Sequence, residues 1–255
     1  MGQPASTGSR TTGSTPRPVG HRKGALSQSL LADILADELA AWQQETGTDP
    51  VDIADLGGGT GGIATRLAGQ GHSVVVVDPS PDALASLQRR AADAGVADRI
   101  TARLGDAADV VDVVGSEAVD VMVCHRVLEM VDQPVDALRA MATCLRPGGM
   151  LSLLVPGRRS AVLAHALNGQ FQAARDALTD ERRFDPERVS RLLTQAGFEV
   201  TAQHGIGALA DVIPETVTES TAAREQLYAL DREISTDAAF RALAPQLHVT
   251  ARFRR

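Results

Sequence analysis

Short apolar runs alternate with segments of helical periodicity along most of the chain. Residues 51–56 and the run "SVVVVD" at 73–78 are predicted strands, with a helix at 63–68 between them. The second run does not alternate with polar residues, which is typical of a strand buried on both faces. A strand, a helix and a strand in this order predict a βαβ unit with parallel strands.

The same alternation continues beyond this unit. A helix is predicted to begin with Ser80 as its N-cap and Pro81 as its first residue. Its buried face is formed by Leu84, Leu87 and Ala91. Further strands are predicted at 100–104, 119–124 and 150–155, and a further helix at 134–145. The pattern predicts an α/β fold with a mostly parallel sheet and helices on both faces.

The two ends of the chain differ from this pattern. Residues 1–21 are rich in Gly, Ser, Thr and Pro and are predicted to form a disordered tail. An amphipathic helix is expected from about Lys23, with apolar positions at Leu31, Ile34, Leu35, Leu39 and Trp42. After residue 155 we predict helical stretches at 161–178, 186–196 and 222–234, and a strand starting at Phe198. The closing "QLHVTARF" alternates, which predicts a half-exposed strand with His248, Thr250 and Arg252 facing outward.

Composition narrows the class of protein. With 255 residues and 44% hydrophobic content, the chain is large enough to bury the core of one α/β domain. It lacks a long apolar run and a signal-peptide core, so we expect a cytoplasmic protein that does not enter the membrane. Its net charge of −7 argues against non-specific coating of nucleic acid. Cys124 and Cys144 lack metal-ligand spacing and are predicted to be reduced core residues, so no metal is expected.

A glycine-rich stretch, "DLGGGTGG" at 55–62, directly follows the first predicted strand. Glycine lets the backbone approach a ligand closely, and the following helix N-terminus favours anionic groups. Asp78 ends the second strand 21 residues after Gly57, close to the spacing of about 20 expected for an acid that binds ribose hydroxyls. The stretch therefore predicts a nucleotide-binding turn.

Two ligand classes fit this turn. The dinucleotide pattern G-x-G-x-x-G is met by Gly57, Gly59 and Gly62. An acid-x-G-x-G-x-G variant, typical of proteins that bind S-adenosylmethionine, is met by Asp55, Gly57, Gly59 and Gly61. The turn alone does not choose between them.

Three later blocks resemble those of class I S-adenosylmethionine-dependent methyltransferases. They are "LGDAADV" at 104–110, "VDVMVCHRVLEMV" at 119–131 and "CLRPGGMLSL" at 144–153. The first is predicted as a polar turn near the adenine and the last as a turn into the fifth strand. The resemblance implies a Rossmann-like, mostly parallel sheet of seven strands with an antiparallel last strand and helices on both faces. It implies S-adenosylmethionine as the cofactor.

The resemblance extends to one family within this class. "RKGALSQSLLADIL" at 22–35, "AHALNGQF" at 164–171 and "HVTAR" at 248–252 are similar to segments of bacterial tRNA 5-carboxymethoxyuridine methyltransferases. Those enzymes esterify the carboxylate of a modified wobble uridine. Together with the motif pattern, the resemblance implies cofactor contacts from Asp55, Gly57, Gly58, Gly59, Asp78, Asp106, Ala107, Ala108 and His125. It also implies one methyltransferase domain over residues 22–255, with a helical insertion at about 157–186 that caps the substrate side.

The sequence indicates the methyl acceptor less clearly than the cofactor. This chain has Ser27 where the family has an arginine that contacts the cofactor, and "RDALTDERRFDP" at 175–186 is short and rich in acids. Arg158 and Arg159 are candidate substrate contacts. A carboxylate acceptor needs no general base, whereas a hydroxyl or amine needs one, for which His125 is the nearest candidate. Besides a tRNA carboxylate, the open alternatives are a small molecule methylated on oxygen or nitrogen, and a non-catalytic regulator that binds S-adenosylmethionine.

Overall fold

Strands and helices alternate through the computed structural model, which describes residues 23–254. The strands are β1 Asp52–Leu56, β2 Ser73–Asp78, β3 Ile100–Leu104, β4 Val119–His125, β5 Leu145–Pro156, β6 Phe198–Ile206 and β7 Gln246–Phe253. The helices are α1 Lys23–Thr46, α2 Gly62–Gly69, α3 Pro81–Asp93, α4 Val110–Val114, α5 Pro134–Cys144, α6 Arg158–Leu167, α7 Phe171–Ala177, α8 Pro186–Gln195, α9 Thr221–Ile234 and α10 Ala238–Leu243. Short 3-10 helices lie at Ala97–Arg99, Leu128–Met130 and Glu215–Thr218.

The strands form one sheet in the order β3-β2-β1-β4-β5-β7-β6. Pairing is parallel from β3 through β5, and β7 runs antiparallel to both β5 and β6. The parallel strands therefore present their carboxyl ends at one edge, with the order reversing between β1 and β4. This confirms the predicted Rossmann-like sheet and its antiparallel last strand.

The start of α3 illustrates how local sequence sets these elements. Ser80 Oγ accepts a hydrogen bond from the Ala83 backbone N at 3.2 Å, and Pro81 occupies the first helical position. Both were predicted, because the capping hydroxyl satisfies an otherwise unpaired N–H and proline has none to lose. The face formed by Leu84, Leu87 and Ala91 is buried against the sheet, also as predicted.

Helix α1 covers more of the sheet than its sequence predicted. Its five predicted apolar positions are all buried. At the N-terminal half of α1, Leu31 and Ile34 also pack with Leu154 of β5 and Ile206 of β6. His248 and Thr250 of β7 have no exposed surface as a result. The prediction that these two residues face solvent was wrong, because alternation alone does not reveal that a distant helix covers the polar face.

Two smaller predictions also need correction. Helix α5 ends at Cys144, and the residues predicted as a turn before the fifth strand already belong to β5, with a register shift between Val119 and Val121. The predicted helical stretch 161–178 is two helices, separated where Gly169 takes a φ of 71°. Helices α4 and α10 were not predicted. With five and six residues, they are too short to show a clear periodicity.

The segment 157–186 leaves the sheet and returns to the same point. Arg158 N donates to Phe184 O at 2.7 Å, and Phe184 N donates to Pro156 O at 2.9 Å. Helices α6 and α7 lie between these two anchors. This segment therefore forms a pair of helices at the carboxyl end of β5, and its predicted role as a substrate-side cap stays a prediction.

Two other predictions concern the N-terminal tail and membrane insertion. The predicted tail at 1–21 lies outside the described residues. Among residues 23–254, no helix combines the length and apolar character that crossing a membrane requires.

Candidate active site

The glycine stretch forms a tight turn between β1 and α2. Gly57 N donates to Val77 O at 2.7 Å, which ties the turn to the end of β2. Gly57, Gly59 and Gly61 have φ values of 72°, 54° and 77°. Residues with a Cβ rarely adopt this left-handed region, so the turn requires glycine at these three positions.

Most of the turn is also closely packed. A Cβ at Gly57 would lie 2.2 Å from Val127 Cγ2, and one at Gly58 would lie 2.5 Å from Asp55 Oδ2. A Cβ at Gly59 would meet nothing nearer than 3.9 Å, and one of the two atoms at that distance is Asp78 Oδ2. The backbone at Gly59 therefore borders open space beside the Asp78 carboxylate.

Asp78 fastens the turn to the second strand. Its Oδ2 accepts a hydrogen bond from Gly59 N at 2.8 Å, and its Oδ1 accepts one from Ser80 N at 2.9 Å. An ionised carboxylate has about four acceptor positions, so about two remain for donors of a bound molecule. The N-cap of α3 is Ser80 rather than Asp78, which leaves Asp78 as a link between the turn and β2.

The loop after β3 lies next to Asp78. Gly105 N faces Asp78 O at 3.4 Å, and Ala108 N donates to the exposed Asp106 carboxylate at 2.7 Å. Leu104, the last residue of β3, is 61% exposed, which is unusual for a large apolar side chain at a strand end. The loop thus offers an apolar surface beside polar backbone groups at the predicted adenine position.

Asp55, the last acid of β1, is buried against the turn. It is 2% exposed, and its Oδ2 has no hydrogen-bond partner. Burial, together with the nearby Asp78 charge, raises the pKa of Asp55 to about 7. An ionised Asp55 is therefore costly unless a bound molecule supplies positive charge nearby.

This shift predicts a pH dependence of stability. The pKa of Asp55 is raised by folding from 3.8 to about 7, so its stabilising contribution is fully present below about pH 4 and is lost as the pH rises to about 7. Since one pKa unit corresponds to about 1.4 kcal/mol, the loss amounts to a few kcal/mol. Urea unfolding at pH 5 and pH 8 should show the wild type losing more stability than Asp55→Asn. Asp82→Asn, at an exposed site, is the control and should behave as the wild type. Equal losses of stability in the wild type and Asp55→Asn would contradict the raised pKa of Asp55.

The end of β4 contributes His125. Its Nε2 lies 2.9 Å from Ser152 Oγ, whereas its Nδ1 is buried without a partner. Burial lowers the pKa of His125 to about 3, so the imidazole is neutral at neutral pH. The ring is thus held in place by β5 and carries no charge.

The residues that follow His125 were not predicted from the sequence as part of the site. Arg126 takes a φ of 63°, and its Nε donates to Glu129 Oε1 at 2.6 Å. Glu129 is 8% exposed, and its Oε2 is buried without a partner. Val127 packs against Gly57. The only signal in the sequence was that the block "VDVMVCHRVLEMV" at 119–131 continues past His125. A strained backbone and a buried acid leave no periodic pattern.

Among the described residues, the unpartnered buried atoms at the carboxyl edge of the sheet include Asp55 Oδ2, His125 Nδ1 and Glu129 Oε2. Open α/β sheets bind ligands at this edge, where the strand order reverses. Native proteins pair almost all buried polar atoms, so these atoms mark this edge as a candidate ligand site.

The predicted arginines also lie after the end of β5, but they are engaged by acids. Arg158 Nη2 donates to Arg183 O at 3.0 Å. Three ion pairs join this region: Arg158 with Asp185 at 3.5 Å, Arg159 with Glu187 at 3.5 Å and Arg183 with Asp180 at 3.4 Å. Their charges are therefore partly neutralised within the protein.

Ser27 occupies the position at which the resembling family has an arginine. It is 5% exposed, and its Oγ donates to Asp211 Oδ1 at 3.2 Å. A Cβ at Gly207 would lie 2.5 Å from this hydroxyl. The small, uncharged side chain is thus packed between α1 and the loop after β6.

The sheet order, the glycine turn and the acid at the end of β2 define a class I methyltransferase fold. A family model described as a methyltransferase domain matches residues 25–203. The chain belongs to this family and is an S-adenosylmethionine-dependent methyltransferase.

Individual relatives support this class. The chain is 28% identical over 241 residues to the tRNA 5-carboxymethoxyuridine methyltransferase of Escherichia coli K12, covering 91% of this chain and 90% of that protein. It is 29% identical over 158 residues to a ubiquinone biosynthesis O-methyltransferase of Azorhizobium caulinodans, covering 60% and 61%. Among solved structures, the plantazolicin methyltransferase BamL superposes with a TM-score of 0.61 at 14% identity, covering 92% of this chain and 89% of that one.

Proposed function

We propose that the glycine turn and the ends of β2, β3 and β4 hold S-adenosylmethionine. The backbone of Gly57, Gly58 and Gly59 forms the floor, and Asp78 accepts hydrogen bonds from the ribose hydroxyls. The adenine lies against the loop of Asp106, Ala107 and Ala108, beside the exposed Leu104. The open space at Gly59 and the free acceptor positions of Asp78 support this assignment.

The buried acids suit the charge of this molecule. Asp55 and Glu129 each have an unpartnered buried oxygen near the turn. A cationic ligand stabilises ionised carboxylates and lowers the cost of their burial. His125, which stays neutral, adds no opposing charge.

The protein's main role in the reaction is to position the methyl acceptor. When bound, S-adenosylmethionine supplies a methyl group that its positively charged sulfur makes electrophilic. The chain must place the acceptor in line at about 3 to 3.5 Å and exclude water, an effect worth on the order of 7 to 11 kcal/mol in favourable cases. We propose that the insertion at 157–186, which is anchored at the end of β5, caps this space.

We further propose that the acceptor is a carboxylate, as in the resembling tRNA-modifying enzymes. The similarity to the Escherichia coli enzyme over 91% of this chain carries this proposal. The chemistry of the site agrees with it. A pKa of about 3 makes His125 a weak general base near neutral pH, and a carboxylate acceptor is already ionised and needs none.

Transfer of labelled methyl tests the acceptor. The purified protein would be incubated with methyl-labelled S-adenosylmethionine and either tRNA that carries 5-carboxymethoxyuridine or a metabolite extract. We expect the product to release its label as methanol in mild base, because methyl esters hydrolyse under these conditions. A base-stable label would overturn carboxylate methylation while leaving the enzyme class intact.

The carboxylate could belong to tRNA or to a small molecule. The acid-paired arginines favour the small molecule, because the carboxylates beside them repel phosphate groups. Each phosphate contact adds about 0.7 to 0.9 to the slope of log affinity against log salt.

The salt dependence of tRNA binding therefore separates the two candidates. We expect weak tRNA binding with a slope much shallower than the value near −3 to −4 that four arginines (Arg158, Arg159, Arg182 and Arg183) would give. Filter binding at several salt concentrations measures it, with Arg254→Ala as a control beyond the far end of β7. A steep slope that falls by about one unit in Arg158→Ala, and again in Arg159→Ala, would instead establish tRNA as the substrate.

A further inference from the structure

Three side chains form a hydrogen-bonded line across the sheet, starting at the proposed site. His125 Nε2 lies 2.9 Å from Ser152 Oγ, and the same hydroxyl lies 2.8 Å from His248 Nε2. The three residues belong to β4, β5 and β7, which are neighbours in the sheet. Ser152 and His248 have no exposed surface, so water does not substitute for either contact.

The serine hydroxyl has one proton to share between two rings. If it donates to one Nε2, that ring is protonated on Nδ1, and the other ring must carry its proton on Nε2 to donate to Oγ. If both rings carried Nε2 protons, the buried serine proton would have no acceptor in the line, at the cost of an unmade hydrogen bond. The favoured states therefore have opposite tautomers at His125 and His248.

The Nδ1 atoms of the two rings do not determine which ring takes which tautomer. Nδ1 of His125 and Nδ1 of His248 are both buried and unpartnered. Burial lowers the pKa of both imidazoles, and the two rings contact edge to face with centroids 5.7 Å apart. Both rings are thus neutral at pH 7, with one proton each, and no group among residues 23–254 bonds either Nδ1 and so selects which ring carries its proton there.

We propose that Ser152 and His248 are positioning residues that set the tautomer of His125 according to the group bound beside it. The His125 ring is partly exposed, but its Nδ1 is covered in the ligand-free protein, so the bound molecule must displace that cover. A hydrogen-bond acceptor that then contacts Nδ1, such as a carboxylate, selects the Nδ1–H form of His125. Ser152 then donates to His125, and His248 takes the Nε2–H form. A bound donor selects the reverse arrangement. This rests on the proposed function only in placing the bound molecule against His125.

Nitrogen NMR of the labelled histidines tests this coupling directly. Long-range proton–nitrogen spectra at pH 7 distinguish Nδ1–H from Nε2–H rings, and the chain has six histidines to assign. In the ligand-free wild type we expect opposite tautomers at His125 and His248. If the two states exchange rapidly, the averaged nitrogen signals of the two rings should deviate in opposite directions from those of an equal mixture. Addition of S-adenosylhomocysteine should move the ring nitrogens of both residues. Identical tautomers in the wild type would overturn the coupling without any variant.

Two variants locate the coupling in the serine hydroxyl. In Ser152→Ala, S-adenosylhomocysteine should still shift His125, whereas the response of His248 should disappear. The control is Thr250→Val, since Thr250 is equally buried on β7 but its hydroxyl contacts Glu38 and Thr201 rather than the two rings. A response of His248 that persists in Ser152→Ala would refute the inference. Calorimetric binding of S-adenosylhomocysteine to the same samples tests the cofactor site separately.

Discussion

Replacement of Asp78 by alanine is expected to weaken binding of S-adenosylhomocysteine by about 30- to 1,000-fold, or about 2 to 4 kcal/mol. The carboxylate would lose its proposed bonds to two ribose hydroxyls, each worth about 1.5 to 3 kcal/mol and not fully additive. It would also release Gly59 N and Ser80 N, which it holds at 2.8 and 2.9 Å. Isothermal titration calorimetry measures the change, and NAD should give no binding heat with the wild type.

Two further variants separate ligand binding from turn geometry. Asp78→Asn retains the size of the side chain and an acceptor oxygen, so its affinity should fall between those of the wild type and Asp78→Ala. Asp82→Ala removes an exposed carboxylate from the first turn of α3 and should bind as the wild type. If Asp78→Ala keeps its fold and binds S-adenosylhomocysteine unchanged, Asp78 serves only the turn.

The parts of this site that the sequence predicted are those set by local backbone chemistry. A glycine with positive φ, an N-cap serine and an apolar strand each follow from a few adjacent residues, so the turn at 57–61, the start of α3 and β2 were all predictable. The fold class followed because such units assemble into few topologies. The ribose-binding role of Asp78 rests on its spacing from Gly57 and its place at the end of β2, and it stays a prediction.

The unpredicted parts depend on contacts between distant segments. Ser152 and His248 lie 96 positions apart and meet only because β7 pairs with β5. The covering of β7 by α1 brings together residues more than 200 positions apart, such as Glu38 and Thr250. The partial neutralisation of Arg158 and Arg159 likewise requires the return of the chain at Phe184. Residue type and periodicity do not predict such contacts between distant segments.

The glycine turn offers a matched pair of substitutions at adjacent positions, Gly61→Ala and Gly62→Ala. Gly61 has a φ of 77°, and its added Cβ would lie 2.0 Å from Leu87 Cδ1, a fully buried side chain of α3. Gly62 is the first residue of α2, and its Cβ would meet nothing within 4 Å. The two variants add the same methyl group, so their difference isolates the requirement of the turn.

We expect Gly61→Ala to lower the free energy of unfolding by about 2 to 5 kcal/mol. Left-handed strain costs roughly 1 to 2 kcal/mol, and displacement of Leu87 from a packed core costs roughly 1 to 3 kcal/mol. Gly62→Ala should be neutral or stabilise by up to about 1 kcal/mol, because alanine restricts the unfolded chain and suits the helix. Urea unfolding of both variants measures the difference. Because α2 starts at this turn, Gly61→Ala should also weaken S-adenosylhomocysteine binding, whereas equal stabilities of the two variants would show that the turn accepts a side chain at Gly61.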